Sequence, residues 1–116
     1  MTKDPVFDAY FRFLSLARAV HELPSTPKLD AAEERLLEAL TAAWNAGRAL
    51  TVTETMAVSS AGAPATVHRK LTSLKKRGLV SVDENSDDLR IKTVKPTRKA
   101  LDHFQKLAAC LDQLKA

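Results

Sequence analysis

Ala63 to Val80, APATVHRKLTSLKKRGLV, contains one helix with both of its ends marked. Pro64 stands at the first helical position, where its missing N–H costs nothing and its fixed φ suits the helix. Val67, Leu71 and Leu74 recur at i, i+4 and i+7 and define a buried stripe, and Gly78 terminates the run. Past Gly78 the period changes from helical to alternating, and Leu79-Val80-Ser81-Val82 reads as a strand. On the wheel, the face opposite the apolar stripe carries Ala65, Arg69, Thr72 and Lys76, with Thr66 and Ser73 on one flank and His68 on the other. From Gly62 to Val80 there are five cations, Arg69, Lys70, Lys75, Lys76 and Arg77, and no acid.

Upstream, Ser59-Ser60-Ala61-Gly62-Ala63 reads as a turn. Before it, Thr51 and Glu54 form a T-x-x-E start signal for a short helix over 52–59, and Ala49-Leu50 suits one short strand. Asp30 and Glu33 give the same signal as D-x-x-E. The aspartate accepts from free first-turn amides, and the helix dipole favours the glutamate. The helix that follows runs to Ala46, buries Leu36, Leu37, Leu40, Ala43 and Trp44, and ends at Gly47. Leu23-Pro24-Ser25-Thr26-Pro27 is a linker, because two close prolines remove donors and push their neighbours to extended conformations. Ahead of it, residues 4–21 place Phe7, Tyr10, Phe11, Leu14, Ala17 and Val20 at helical spacing.

Downstream, residues 83–88 form a polar turn, 89–94 a returning strand, and Pro96-Thr97 closes the hairpin. Thr97 caps a last helix with Leu101, Phe104, Leu107, Ala108, Leu111 and Leu114 on one stripe. Two short helices joined by a small-residue turn and followed at once by a two-stranded ribbon make a winged helix-turn-helix, mainly α with a small β-hairpin wing.

The 116 residues, 45% of them hydrophobic, suffice for one domain and leave no room for a second. Charges interrupt every apolar stretch well before about 18 residues, and no basic start leads into an apolar region with a cleavage site, so a cytosolic protein is expected. The one cysteine, Cys110, cannot close an internal disulfide or a Cys-x-x-Cys metal site, and reads as a small buried hydrophobe. There is no phosphate loop, G-x-S-x-G or H-E-x-x-H, so no enzyme is expected and no cofactor. His21, His68 and His103 fall on three different helices, and His103 with Cys110 is a poor basis for a metal or redox sensor. Trp44 and the early aromatics suit a core or an interface better than a cofactor cage.

The net charge of +4 is unevenly placed: residues 1–40 hold five cations and seven acids, whereas the acid-free helix holds five cations. A major groove about 12 Å wide admits one helix, whose Arg can engage guanine O6 and N7 together while Thr, Ser and His reach other edges or phosphates. Small Ala65 and Thr66 let the backbone approach, and Thr51 and Thr53 stand where hydroxyls meet phosphates, though capping serves Thr51 equally. A solvated charged face is the plainer explanation of such a surface. It accounts for Lys75, Lys76 and Arg77, which the C-terminal dipole favours, but not for Arg69. The wing is mixed, since Asn85, Ser86, Arg90 and Lys92 suit phosphates or a minor groove while Asp83, Glu84, Asp87 and Asp88 repel them. Those acids keep a second class open, a winged-helix module that docks proteins and touches no nucleic acid.

The motif from Ala63 to Val80 resembles that of MarR-like transcriptional regulators, in which S-P-S-T-V precedes a basic residue, L-x-x-L and G-L-V or G-L-I. D-L-R-I-K-T-V-K-P-T, residues 88–97, is similar to the family's wing, D-x-R followed by alternating residues and a helix-opening Thr. The resemblance spans about residues 29–101, and Ala63 departs from it where the family has a capping Ser. It implies a prokaryotic, cytoplasmic homodimer on a pseudo-palindromic double-stranded operator. The helix from Pro64 would lie in the major groove, and Arg90, oriented by Asp88, in the minor groove. Residues 29–97 would form the winged-helix core, and helices in 1–22 and 98–116 would interlock as a dimer layer through Phe7, Tyr10, Phe11, Leu14, Phe104, Leu107, Leu111 and Leu114. The periodicity supports that layer independently. A small-molecule effector is common among such proteins, but no residue here matches an effector motif.

Overall fold

The computed structural model describes residues 5–24, 26–83 and 91–113. Its elements are α1 (Pro5–His21), α2 (Ala31–Asn45), α3 (Val52–Met56), a 3-10 turn (Ser59–Ala61), α4 (Pro64–Lys76), β1 (Val80–Val82), β2 (Val94–Pro96) and α5 (Arg98–Gln113). They divide into two units, Leu29–Ala100 and Met1–Lys28 with Leu101–Ala116, so α5 begins in the first and continues in the second.

In the larger unit both start signals form complete capping boxes. Glu33 N–H donates to Asp30 Oδ1 at 2.8 Å and Asp30 N–H donates back to Glu33 Oε1 at 3.0 Å; Thr51 and Glu54 repeat the exchange at 3.0 Å each way. Glycine ends both long helices. Gly47 and Gly78 sit at φ +78° and +77°, and the next residues return their amides to the last turn, Arg48 to Ala43 and Leu79 to Leu74. This closure needs a left-handed residue, which glycine adopts without the Cβ penalty. Leu36, Leu40, Val67, Leu74, Leu79 and Val94 are fully buried around the α2–α4 contact. At roughly 1.5–3 kcal/mol for each large apolar side chain, this stripe is the main force holding α4 to the unit.

Three local expectations are corrected. α3 stops at Met56 instead of reaching Ser59, because residues 59–61 wind into a tighter 3-10 turn. Ala49-Leu50 is no strand: among the described residues the pairing there is a single bridge, Thr51 to Thr93, flanked by Val52 N–H to Lys92 O and Val94 N–H to Leu50 O at 2.8 Å each. The returning strand is Val94–Pro96, later than residues 89–94, and pairs antiparallel with β1 in the register Val80 to Pro96, Ser81 to Lys95 and Val82 to Val94. Pro96 is tolerated because it ends an edge of the ribbon, where no donor is required. Residues 84–90, which include most of the expected turn and Arg90, lie outside the described residues. Thr97 opens α5 as expected, accepting from Ala100 N–H at 3.2 Å while donating to Gly78 O at 2.5 Å.

In the smaller unit Val20, Thr26 and Cys110 are buried; Thr26 Oγ1 donates to Val20 O at 2.5 Å, and Cys110 Sγ lies 3.6 Å from Leu16 O. His21 and His103 meet edge to face with ring centroids 6.3 Å apart. Burial, helped by His21 and Lys106, holds His103 below the ordinary histidine range, which favours the neutral ring. A large apolar surface stays uncovered: Val6 is 75% exposed, Phe7 61%, Phe11 57% and Tyr10 55%, and Leu14, Leu101 and Leu111 are also exposed. Phe104 and Leu107 are half-buried, and Leu114 lies outside the described residues. Among the described residues, no helix is long and apolar enough to cross a membrane, and no cluster of three metal-ligating side chains occurs.

Candidate nucleic-acid interface

The wheel drawn from sequence is the wheel found in α4. Val67, Leu71 and Leu74 are buried, and Ala65, His68, Arg69, Thr72 and Lys76 are exposed, with Thr66 and Ser73 at the half-buried edge. His68, Arg69, Thr72, Ser73 and Lys76 line a shallow depression of about 330 Å³ along the outward face. Arg69 Nη2 rests 3.4 Å from Thr66 Oγ1, a weak contact that leaves most of its donor fork unused. Thr72 Oγ1 donates to His68 O at 3.0 Å. Among the described residues, the side chains of His68 and Lys76 have no ion-pair or hydrogen-bond partner, so this face presents donors aimed at solvent. Ala63 contributes no side-chain cap to α4, as its lack of a hydroxyl predicts.

The other edge of α4 is engaged inside the protein. Glu33, 2% exposed, uses its two oxygens separately. Oε1 completes the α2 capping box, while Oε2 accepts from Ser73 Oγ at 2.7 Å and from Arg77 Nε at 2.8 Å. Asp30 Oδ2 takes Lys70 Nζ at 2.6 Å. Burial pushes the Glu33 carboxyl up, but the Asp30 amide, the Ser73 hydroxyl and the Arg77 guanidinium together outweigh it and hold it below the ordinary glutamate range. Two of the five cations of residues 62–80 therefore face α2, Lys70 on α4 and Arg77 at its C-cap, and the outward charge rests on fewer side chains than the sequence count suggests.

Of the remaining sequence-derived positions, Thr51 is half-buried with its hydroxyl accepting from Glu54 N–H, which favours its capping role. Thr53 is exposed on α3, and Lys92 is half-buried beside the single bridge at Thr93. Trp44 is half-buried and donates Nε1–H to Val94 O at 3.1 Å, fastening α2 to the ribbon. Sequence reading assigned Glu33 only to the cap. Its spacing of three, four and seven from Leu36, Leu37 and Leu40 puts it on the buried stripe, which was the available signal of a second role.

No protein-family model matches the chain, and no curated protein matches it. Solved structures do. Bordetella bronchiseptica BpsR, whose DNA binding is regulated by 6-hydroxynicotinic acid, is similar at 22% identity with a TM-score of 0.51. Staphylococcus aureus MarR, solved in complex with salicylate and kanamycin, is similar at 16% identity with a TM-score of 0.53. Each match covers 95% of this chain and 73% of the other. The shared feature is the fold, a winged helix-turn-helix like that of these two structures.

Proposed function

We propose that this protein is a sequence-specific, double-stranded-DNA-binding transcriptional regulator that acts in the prokaryotic cytoplasm as a homodimer. The observation that carries the reading is the solvent-facing, acid-free face of α4, where Ala65, Thr66, His68, Arg69, Thr72 and Lys76 stand over a core fixed by Val67, Leu71 and Leu74. In this reading α4 is the recognition helix in the major groove. Arg69 reads a base edge, Lys76 and Thr53 meet phosphates, and Arg90 with Lys92 serves the minor groove from the wing. Thr51 and Ser73 keep their internal bonds and act by holding the frame.

The uncovered stripe of Phe7, Tyr10, Phe11 and Leu14, with Phe104, Leu107 and Leu111 on α5, is assigned to a second copy of the chain. A two-fold dimer presents its recognition helices about 34 Å apart, one turn of duplex. Small aromatic hydroxy-acids named with the two similar structures suggest the effector class, without assigning a residue. The reading is tested by selecting duplexes from a random pool with the purified protein. Two related half-sites about 10 base pairs apart are expected. Recovery of a pool no different from the starting one counts against it.

A further inference from the structure

The bonds on the inner edge of α4 carry an inference that rests on the DNA-binding reading and deepens it. Lys70, Ser73 and Arg77 follow one another along that edge at helical spacing, and all three are held by the first turn of α2, through Asp30 and Glu33. An apolar stripe fixes how closely a helix packs but tolerates a roll about its own axis. Directional bonds on one edge do not. For a side-chain tip about 6 Å from the helix axis, a roll of about 30° moves it about 3 Å, a full hydrogen-bond length. A carboxylate that is 2% exposed gains little net stability from its ion pair, because desolvation offsets the attraction; what such a pair supplies is geometry.

We propose that Glu33 is a positioning residue for base recognition: its Oε2, holding Ser73 and Arg77, sets the rotation of α4 that presents Arg69 and its neighbours to the duplex. Arg77, although a cation at the C-cap of the recognition helix, then acts through Glu33 and meets no phosphate. The division of labour between the two oxygens supplies a clean variant. In Glu33→Gln a single acceptor oxygen remains, and the amide orientation that keeps it on Asp30 N–H preserves the α2 cap. The amide nitrogen replaces Oε2 and faces Arg77 Nε donor to donor.

The experiment compares wild-type protein, Glu33→Gln, Arg77→Gln and the double variant, on the selected duplex and on a random duplex of the same length. Removing a negative charge should by itself tighten binding to any DNA. The expected result is opposite signs. Glu33→Gln binds the random duplex as well as wild type or better, binds the selected duplex more weakly, and lowers the ratio of the two by about tenfold. Arg77→Gln lowers the ratio similarly with an unchanged salt slope, and the double variant loses no more than either single one. Three results overturn the inference: a ratio within about twofold of wild type in Glu33→Gln, a parallel loss on both duplexes together with a lowered thermal midpoint, or an Arg77→Gln salt slope reduced by about one. If Glu33→Gln does not fold, Ser73→Ala removes one bond at a half-buried site and carries the same expected direction. Wild-type protein that binds no duplex defeats the DNA reading itself, which separates the two failures.

Discussion

Arg69→Ala weakens binding to the selected duplex by about 1–3 kcal/mol, roughly 5- to 150-fold, and flattens the preference at one base position in each half-site. The expectation follows from what the guanidinium lacks in the free protein. Among the described residues its one hydrogen-bond contact is a 3.4 Å approach to Thr66 Oγ1 on the same helix, so the fork is available to take two acceptors on one guanine edge. Lys76, exposed at the last turn of α4, has no planar fork and acts as a point charge. Lys76→Ala is expected to weaken selected and random duplexes alike and to lower the salt slope by about one. Binding curves for both variants on both duplexes check the contrast. Equal losses from Arg69→Ala on the two duplexes contradict a base-reading role, and a loss confined to the selected duplex in Lys76→Ala contradicts a phosphate role.

Phe11→Asp is expected to convert a dimer to a monomer and to reduce affinity for the two-half-site duplex by roughly 100-fold or more. Phe11 is 57% exposed between Phe7 and Leu14, so the substitution disturbs little of the core of a single chain. In a dimer the same position is desolvated, and a buried unpaired carboxylate costs several kcal/mol. The loss of DNA affinity is larger than any one contact explains, because a monomer forfeits the effective concentration that joins two weak half-site contacts. Sedimentation equilibrium gives the mass: wild type at twice the 12.7 kDa of the chain, and Phe11→Asp at 12.7 kDa with an unchanged far-ultraviolet spectrum. Wild-type protein at the mass of one chain, or a variant that stays dimeric, contradicts the assignment of this stripe to a second copy.

The helices were legible because each carries redundant local instructions. In α4 the Pro64 start, the Val67-Leu71-Leu74 stripe and the Gly78 stop agree, and the outward face follows from the wheel alone. In α2 and α3 the capping boxes needed only a short-side-chain acceptor and a glutamate three residues later. The ribbon was less legible, since period two sets the faces of a strand and not its ends. Residues 89–94 and 94–96 share one alternation, and the later window is selected by its register against Val80–Val82, a pairing that no local pattern contains. The electrostatics of the site were misjudged for the same reason. Counting charges over residues 62–80 treats Lys70 like Arg69 and explains Arg77 by the helix dipole alone, and only the approach of Asp30 and Glu33, about 40 residues earlier in sequence, separates inward cations from outward ones.

The most direct test of the account is the salt dependence of binding to the selected duplex, followed by fluorescence anisotropy between 50 and 200 mM monovalent salt. A dimer that neutralises about six phosphates should lose roughly 10³-fold in affinity over that range, with log affinity falling linearly in log salt. Absence of binding to any duplex at 50 mM salt, or an affinity that does not change across the range, contradicts the claim that the outward face of α4 lies along DNA.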